Sequence, residues 1–200
     1  NPVKYVDPSG LLELEVDFAL KYPKAAKRIM SLGERMTWIK YTSMKEYGQT
    51  TKERIDSALK PGSGPTVCSE SMRWSATDRV YGKFRKEDSE KLFLNSEMLR
   101  EYESGSWSDL LIDATTEHEL LHYFNYKAPT EQPGEEGLLY ETSVYGGPVS
   151  KETCRGHFAR ASVALWCKRK WLPSYNYGQQ SSVGACSQFA AAEEYDAPPA

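Results

Sequence analysis

Hydrophobic positions first recur at helical spacing, then turn strand-like, then return to the helical period. Between Glu13 and Leu59 the apolar residues fall in runs broken by Pro23, Gly33 and Pro61-Gly62. That spacing predicts helical pieces over 13–22, 24–32 and 51–59, each stopped by the breaker that follows. From Thr66 to Phe84 the texture changes. Val67, Trp74, Val80 and Tyr81 stand among short polar residues, as in strands or a hairpin. Lys91-Leu92-Phe93-Leu94-Asn95 reads as another strand, running into a turn or helix over 96–102. Behind the N-cap candidate Ser108-Asp109, residues Leu110, Leu111, Ala114, Leu121 and Phe124 form one apolar stripe. The stretch from Gly134 to Pro148 opens with acidic residues and closes on Gly146-Gly147-Pro148. Negative charge first and a glycine stop last is the order expected of a short helix. Residues 150–171 read as one more helix, and the Ala/Glu/Pro-rich tail over 190–200 as disordered or extended. No internal repeat is present. The element order predicts an α+β fold, a single mainly helical domain with a small sheet.

Length and charge narrow the function classes. Two hundred residues suffice for one domain with a real core. Lys and Arg number 25 against 28 Asp and Glu, a net charge of −3. Nucleic-acid binding is therefore not expected, because it normally shows a basic excess. The one basic cluster, Lys168-Arg169-Lys170, lies between Trp166 and Trp171, so its aliphatic stems are expected to pack beside the rings at a helix end. No apolar run reaches the length of a membrane span. The first residue is Asn and no signal-peptide pattern follows, so the chain is expected to be a piece of something longer. Cys68, Cys154, Cys167 and Cys186 contain no CxxC pair, which argues against a cysteine-built zinc knuckle. Their even number permits either two disulfides or four thiols.

The chemistry concentrates in Thr116-Glu117-His118-Glu119-Leu120-Leu121-His122. The chain has three histidines and two of them are here. On a helix, His118 and His122 are one turn apart and share a face, so both imidazoles can reach one metal ion. Glu119 lies about 100° further round, placed to act as a base. The bland alternative is an amphipathic helix carrying two histidines. Because they border the apolar stripe, however, two unpaired imidazoles there would be costly without a ligand.

A catalytic zinc usually has three protein ligands and one open position. In the following helix Glu141 stands near Leu138, Val144 and Tyr145, where a carboxylate either meets solvent or binds something. Glu136, near that helix's start, can complement the dipole instead, and His157 on the next segment is a further competitor. His118-Glu119-Leu120-Leu121-His122 is the HExxH signature, and its spacing to Glu141 resembles that of gluzincin metallopeptidases. The run Gly137-x-x-x-Glu141-x-x-x-Tyr145-Gly146-Gly147 is similar to a pattern that follows the HExxH helix in several microbial peptidase families. The resemblance implies Zn²⁺ held by His118, His122 and Glu141, with Glu119 as general base. It implies a zincin-like plan in which an edge strand borders the active-site helix. Tyr140, Tyr145 and His157 become candidate donors to an oxyanion or supports behind the ligands.

Asn1-Pro2-Val3-Lys4-Tyr5-Val6-Asp7-Pro8-Ser9-Gly10-Leu11 closely resembles the end of the core of Rhs-family polymorphic toxins. There, a DPxGL motif marks self-cleavage before a variable toxin. The resemblance implies a junction at Asp7, Pro8, Gly10 and Leu11, with residues 1–11 ending the core and 12–200 forming the toxin. Together the two resemblances imply a zinc metallopeptidase toxin, secreted by a type VI-like route into a target bacterium and neutralised by an immunity protein. Its substrate would be a peptide or protein. A zinc amidase acting on peptidoglycan peptides, and a non-enzymatic toxin with a structural HELLH helix, are the rivals.

Overall fold

The sheet begins where the hydrophobic spacing reads as helix. In the computed structural model, which describes residues 12–60, 63–75, 77–129, 135–150 and 153–155, Glu13 and Leu14 form strand β1. They pair in parallel with Thr66 and Val67 of β2 (Thr66–Glu70). The expected helix over 13–22 shrinks to the single turn α1 (Phe18–Lys21). Its apolar residues do not share one continuous buried face, since Val16 and Leu20 are 60% and 82% exposed while Phe18 and Tyr22 turn inward. Pro23 follows the end of α1, as expected, and itself starts α2 (Pro23–Met30), because its missing N–H costs nothing in a first turn.

Helix α3 (Trp38–Tyr47) has no clear apolar stripe. Its buried positions are Lys40, Ser43 and Met44, so the inward face is mostly polar and leaves little trace in hydropathy. Thr37 caps it by accepting from the Lys40 amide, and Thr51 caps α4 (Lys52–Ala58) by accepting from Arg54.

The sheet has strand order β1-β2-β4-β3 among the described residues, with β4 at Lys91–Asn95 as its sequence suggests and β3 at Gly82–Phe84. The first three strands are parallel and β3 runs antiparallel at the edge. The strand texture over 66–84 yields β2 and β3 with an antiparallel bridge between Trp74 and Arg79, although β2 and β3 do not pair, because β4 lies between them. Strand β4 buries Leu92, Phe93 and Leu94 in succession, as an interior strand covered on both faces does. Helix α5 (Ser96–Glu103) follows directly, capped by Asn95.

Helix α6 (Asp109–Tyr126) runs through the middle of the molecule. Leu111, Ile112, Ala114, Leu120, Leu121 and Phe124 are buried in the core, as are Val67, Leu92 and Leu94 from the sheet and Ile29 from α2. The expected stripe is only part of what α6 buries, because Asp113, Thr116, Glu117, Glu119 and Asn125 are buried too. Each is given partners. Asp113 accepts from Arg28 at 2.5 Å and from Arg35 at 2.8 Å. Glu117, at 0% exposure, meets Lys40 of α3 at 2.5 Å. It also accepts from Tyr140 at 2.9 Å and from Tyr145, both on α7 (Glu136–Tyr145). Helix α7 ends at Gly146 in a left-handed conformation, as the Gly-Gly-Pro stop suggests.

Cys68 is a free thiol, and burial pushes it up to about 11, which keeps it protonated. Cys167, Cys186, the basic cluster, the tail and residues 1–11 lie outside the described residues, as does most of the helix expected over 150–171. Within that last segment, Thr153–Arg155 form a short 3-10 turn. Among the described residues no helix is long and apolar enough to cross a membrane.

The Lys40–Glu117 pair can be tested directly. Removing the cation from a carboxylate that has no water to turn to should cost about 3–5 kcal/mol. We expect Lys40→Met to lower the urea unfolding free energy by that amount. By contrast, Lys21→Met, which breaks an exposed pair with Asp17, should stay within about 1 kcal/mol. Equal effects from the two variants would contradict this packing.

Candidate metal centre

Helical spacing brings the two imidazoles of α6 together, with His118 and His122 ring centroids 5.0 Å apart. What holds them in place comes from α7. The backbone of α7 passes so close to His118 that a Cβ on Gly137 would lie 2.4 Å from the ring. No side chain fits there, so glycine at 137 sets how near the two helices approach.

The same helix sets a carboxylate against each imidazole. His118 Nδ1 is 2.6 Å from Glu141 Oε1, and Glu141 Oε2 accepts from the Val149 amide at 2.6 Å. His122 Nδ1 is 3.3 Å from Glu136 Oε2, and Glu136 Oε1 accepts from Asn125 at 2.8 Å. A proton on Nδ1 shared with a carboxylate leaves Nε2 with its lone pair outward, the usual arrangement behind metal-binding histidines. Burial works to lower the His118 pKa, but the Glu141 bond and nearby carboxylates outweigh it, and the net direction is upward. For His122, burial and the neighbouring His118 prevail, and its pKa falls.

A third donor stands at the mouth of α7. Glu135, its N-terminal flanking residue, keeps a side chain that is 73% exposed, with Oε2 3.9 Å from His122 Nε2. His118, His122 and Glu135 each offer one ligand atom, and these lie within 4.8 Å of one another. Two imidazole nitrogens and one carboxylate, on an accessible face, suit a divalent metal with an open position.

The structure distributes the expected site residues unevenly. His118, His122 and Glu119 come together. Glu141, expected as third ligand, spends one oxygen on His118 Nδ1 and the other on the Val149 amide. Glu136 is likewise behind His122. Tyr140 and Tyr145 direct their hydroxyls to Glu117, and burial raises both pKa values. His157 lies outside the described residues. Sequence reasoning did not single out Glu135. Its one signal was an acidic residue opening a helix, which the dipole explains equally well.

Glu119, close enough to His118 to feel its charge, turns toward the edge strand. It is 5% exposed and takes a backbone hydrogen bond from Phe84 of β3. Burial raises its pKa to about 7, against the opposing pull of His118 and the Phe84 bond. A carboxyl near 7 can both accept and return a proton at neutral pH. Room for it exists because β3 carries glycine, since a Cβ on Gly82 would lie 2.7 Å from Glu119 Oε1.

Comparison with known proteins places this arrangement in context. The sequence profile of a family described as Metallopeptidase toxin 3 matches residues 18–146, which include the sheet from β2 onward, α6 and α7. No curated protein and no solved structure matches the chain.

Gly137 gives the test of how the imidazoles are held. Gly137→Ala must push α7 off His118, so metal affinity should fall by about tenfold or more while far-UV circular dichroism stays unchanged. Competition with a chromophoric chelator measures it. Parent-like affinity in a folded Gly137→Ala protein would contradict the close approach.

Proposed function

The chain belongs to the Metallopeptidase toxin 3 family, and from that premise we propose that it is a zinc-dependent peptidase in which Glu119 is the general base. One observation carries the reading: two imidazoles, each backed by a carboxylate, converge with Glu135 beside a buried carboxylate whose pKa is about 7. The donor set fits zinc, and His118, His122 and Glu135 would hold it. Glu141 and Glu136 then orient the imidazoles from behind and add negative charge that strengthens them as donors.

When bound, zinc would make a water molecule acidic enough to lose its proton near neutral pH and would polarise the carbonyl of the scissile amide. The chain's own residues supply the proton traffic. Glu119 accepts a proton from the attacking water and returns it to the leaving nitrogen as the C–N bond breaks. Gly82 leaves room for that carboxylate, and the Phe84 backbone holds it against the strand. Tyr140 and Tyr145 keep α7 fixed to α6 through Glu117, whose charge Lys40 of α3 offsets, and with α7 the carboxylates of Glu135, Glu136 and Glu141.

We further propose that the peptidase acts inside target bacteria as the C-terminal toxin of an Rhs-type effector, paired with an immunity protein. The junction-like sequence Asp7-Pro8-Ser9-Gly10-Leu11 supports the Rhs part, and the toxin family supports delivery to a target cell.

Two measurements test this function. Glu119→Gln should keep about one zinc per chain yet abolish toxicity on expression in a susceptible cell, because it removes the base and no ligand. Undiminished toxicity would refute the hydrolytic mechanism. On the ligand set, Glu135→Gln should release zinc to a chelator more readily than Glu141→Gln. The first removes a bound anion, whereas the second removes an outer support worth about 10–100-fold in affinity. The reverse order would make Glu141 the ligand.

A further inference from the structure

Beside Glu119 the molecule presents a partly exposed aromatic pair that the proposed chemistry does not use. Gly82 and Phe84 lie on the same face of β3, since residues two apart on a strand point the same way. Gly82 faces Glu119 and Thr115 of α6. Two positions on, the Phe84 ring meets Tyr126, with centroids 5.7 Å apart and planes at 51°. Tyr126 follows His122 by four residues, so it sits one turn along on the same side of α6. It is 38% exposed, and Phe84 is half-buried. The adjacent cation, Lys127, lies 5.9 Å from the Tyr126 ring centroid and is paired with Glu90. The wall therefore offers apolar area with its neighbouring charge already neutralised.

We propose that Phe84 and Tyr126 form a specificity subsite for a large apolar or aromatic side chain of the peptide, next to the bond that is cut. This rests on the peptidase reading above and names the substrate class for it. The placement supports the match. One helical turn, about 5.4 Å, separates Tyr126 from His122, which is within reach of a side chain on a residue adjacent to the scissile amide. A charged substrate side chain would lose water there and gain no partner. An aromatic one would stack on the two rings and bury apolar surface. The wall is also built on the strand that holds Glu119, so a side chain seated on it is in register with the base.

The test uses two peptide hydroxamates, which chelate an active-site metal without being turned over. They differ only in carrying Phe or Gly at the residue next to the hydroxamate. Calorimetry on the zinc-loaded chain should show the Phe compound bound at least about tenfold more tightly. Tyr126→Ser, at an exposed position, should shrink that ratio toward one while its zinc content stays at the parent level. Equal affinities for the two compounds in the parent, or a ratio unchanged in Tyr126→Ser, would overturn the subsite and leave the metal centre standing. Failure of both compounds to bind a zinc-loaded chain would overturn the metal centre and the subsite with it.

Discussion

Helix α6 is buried on almost every side, yet it carries Asp113, Glu117, Glu119, Asn125 and two histidines. A polar group taken from water without a partner costs about 1–3 kcal/mol, and a charge costs more. The elements around α6 are therefore arranged to supply partners. Arg28 of α2, with Arg35 just beyond it, clamps Asp113. Helix α3 sends Lys40 inward, and α7 turns four polar side chains and a glycine toward its neighbour. The backbone of β3 completes the set at Glu119.

Three consecutive residues show how the helix divides its duties. Successive side chains on α6 point about 100° apart. Glu117 enters the interior between α3 and α7. His118 faces Glu141 and the candidate metal position. Glu119 faces the edge strand. Structural anchor, proposed ligand and proposed base are separated by rotation alone. Helix α7 is held by the two tyrosines on Glu117; it delivers Glu141 from between them and Glu136 from its first turn. The anchor and the site are thus parts of one hydrogen-bonded unit.

Much of this was legible in the sequence where local rules suffice. Strand β4 and the end of α7 at Gly146 follow from hydropathy and turn chemistry, and the pairing of His118 with His122 follows from helical period. What escaped depends on tertiary partners. β1 is a strand because β2 is beside it, not because Glu13-Leu14 prefers to be extended. α3 hides because its buried face contains Lys40 and Ser43, which only the presence of Glu117 and Ser143 makes acceptable. The choice of Glu141 as third ligand, over His157 and Glu136, rested on resemblance in spacing, and Glu135 was not singled out. The packing of α7 on α6 sets Glu141 against His118 Nδ1 and brings exposed Glu135 within reach of both imidazoles.

The central claim is that two imidazoles and a carboxylate hold one metal on the open side of α6. X-ray absorption at the zinc edge, on chain purified with its native metal, reads that ligand set directly. We expect about one zinc per chain, with the multiple-scattering pattern of two imidazoles, light oxygen neighbours at ordinary bond lengths and no sulfur. A spectrum with sulfur ligands, or with fewer than two imidazoles, would contradict the account.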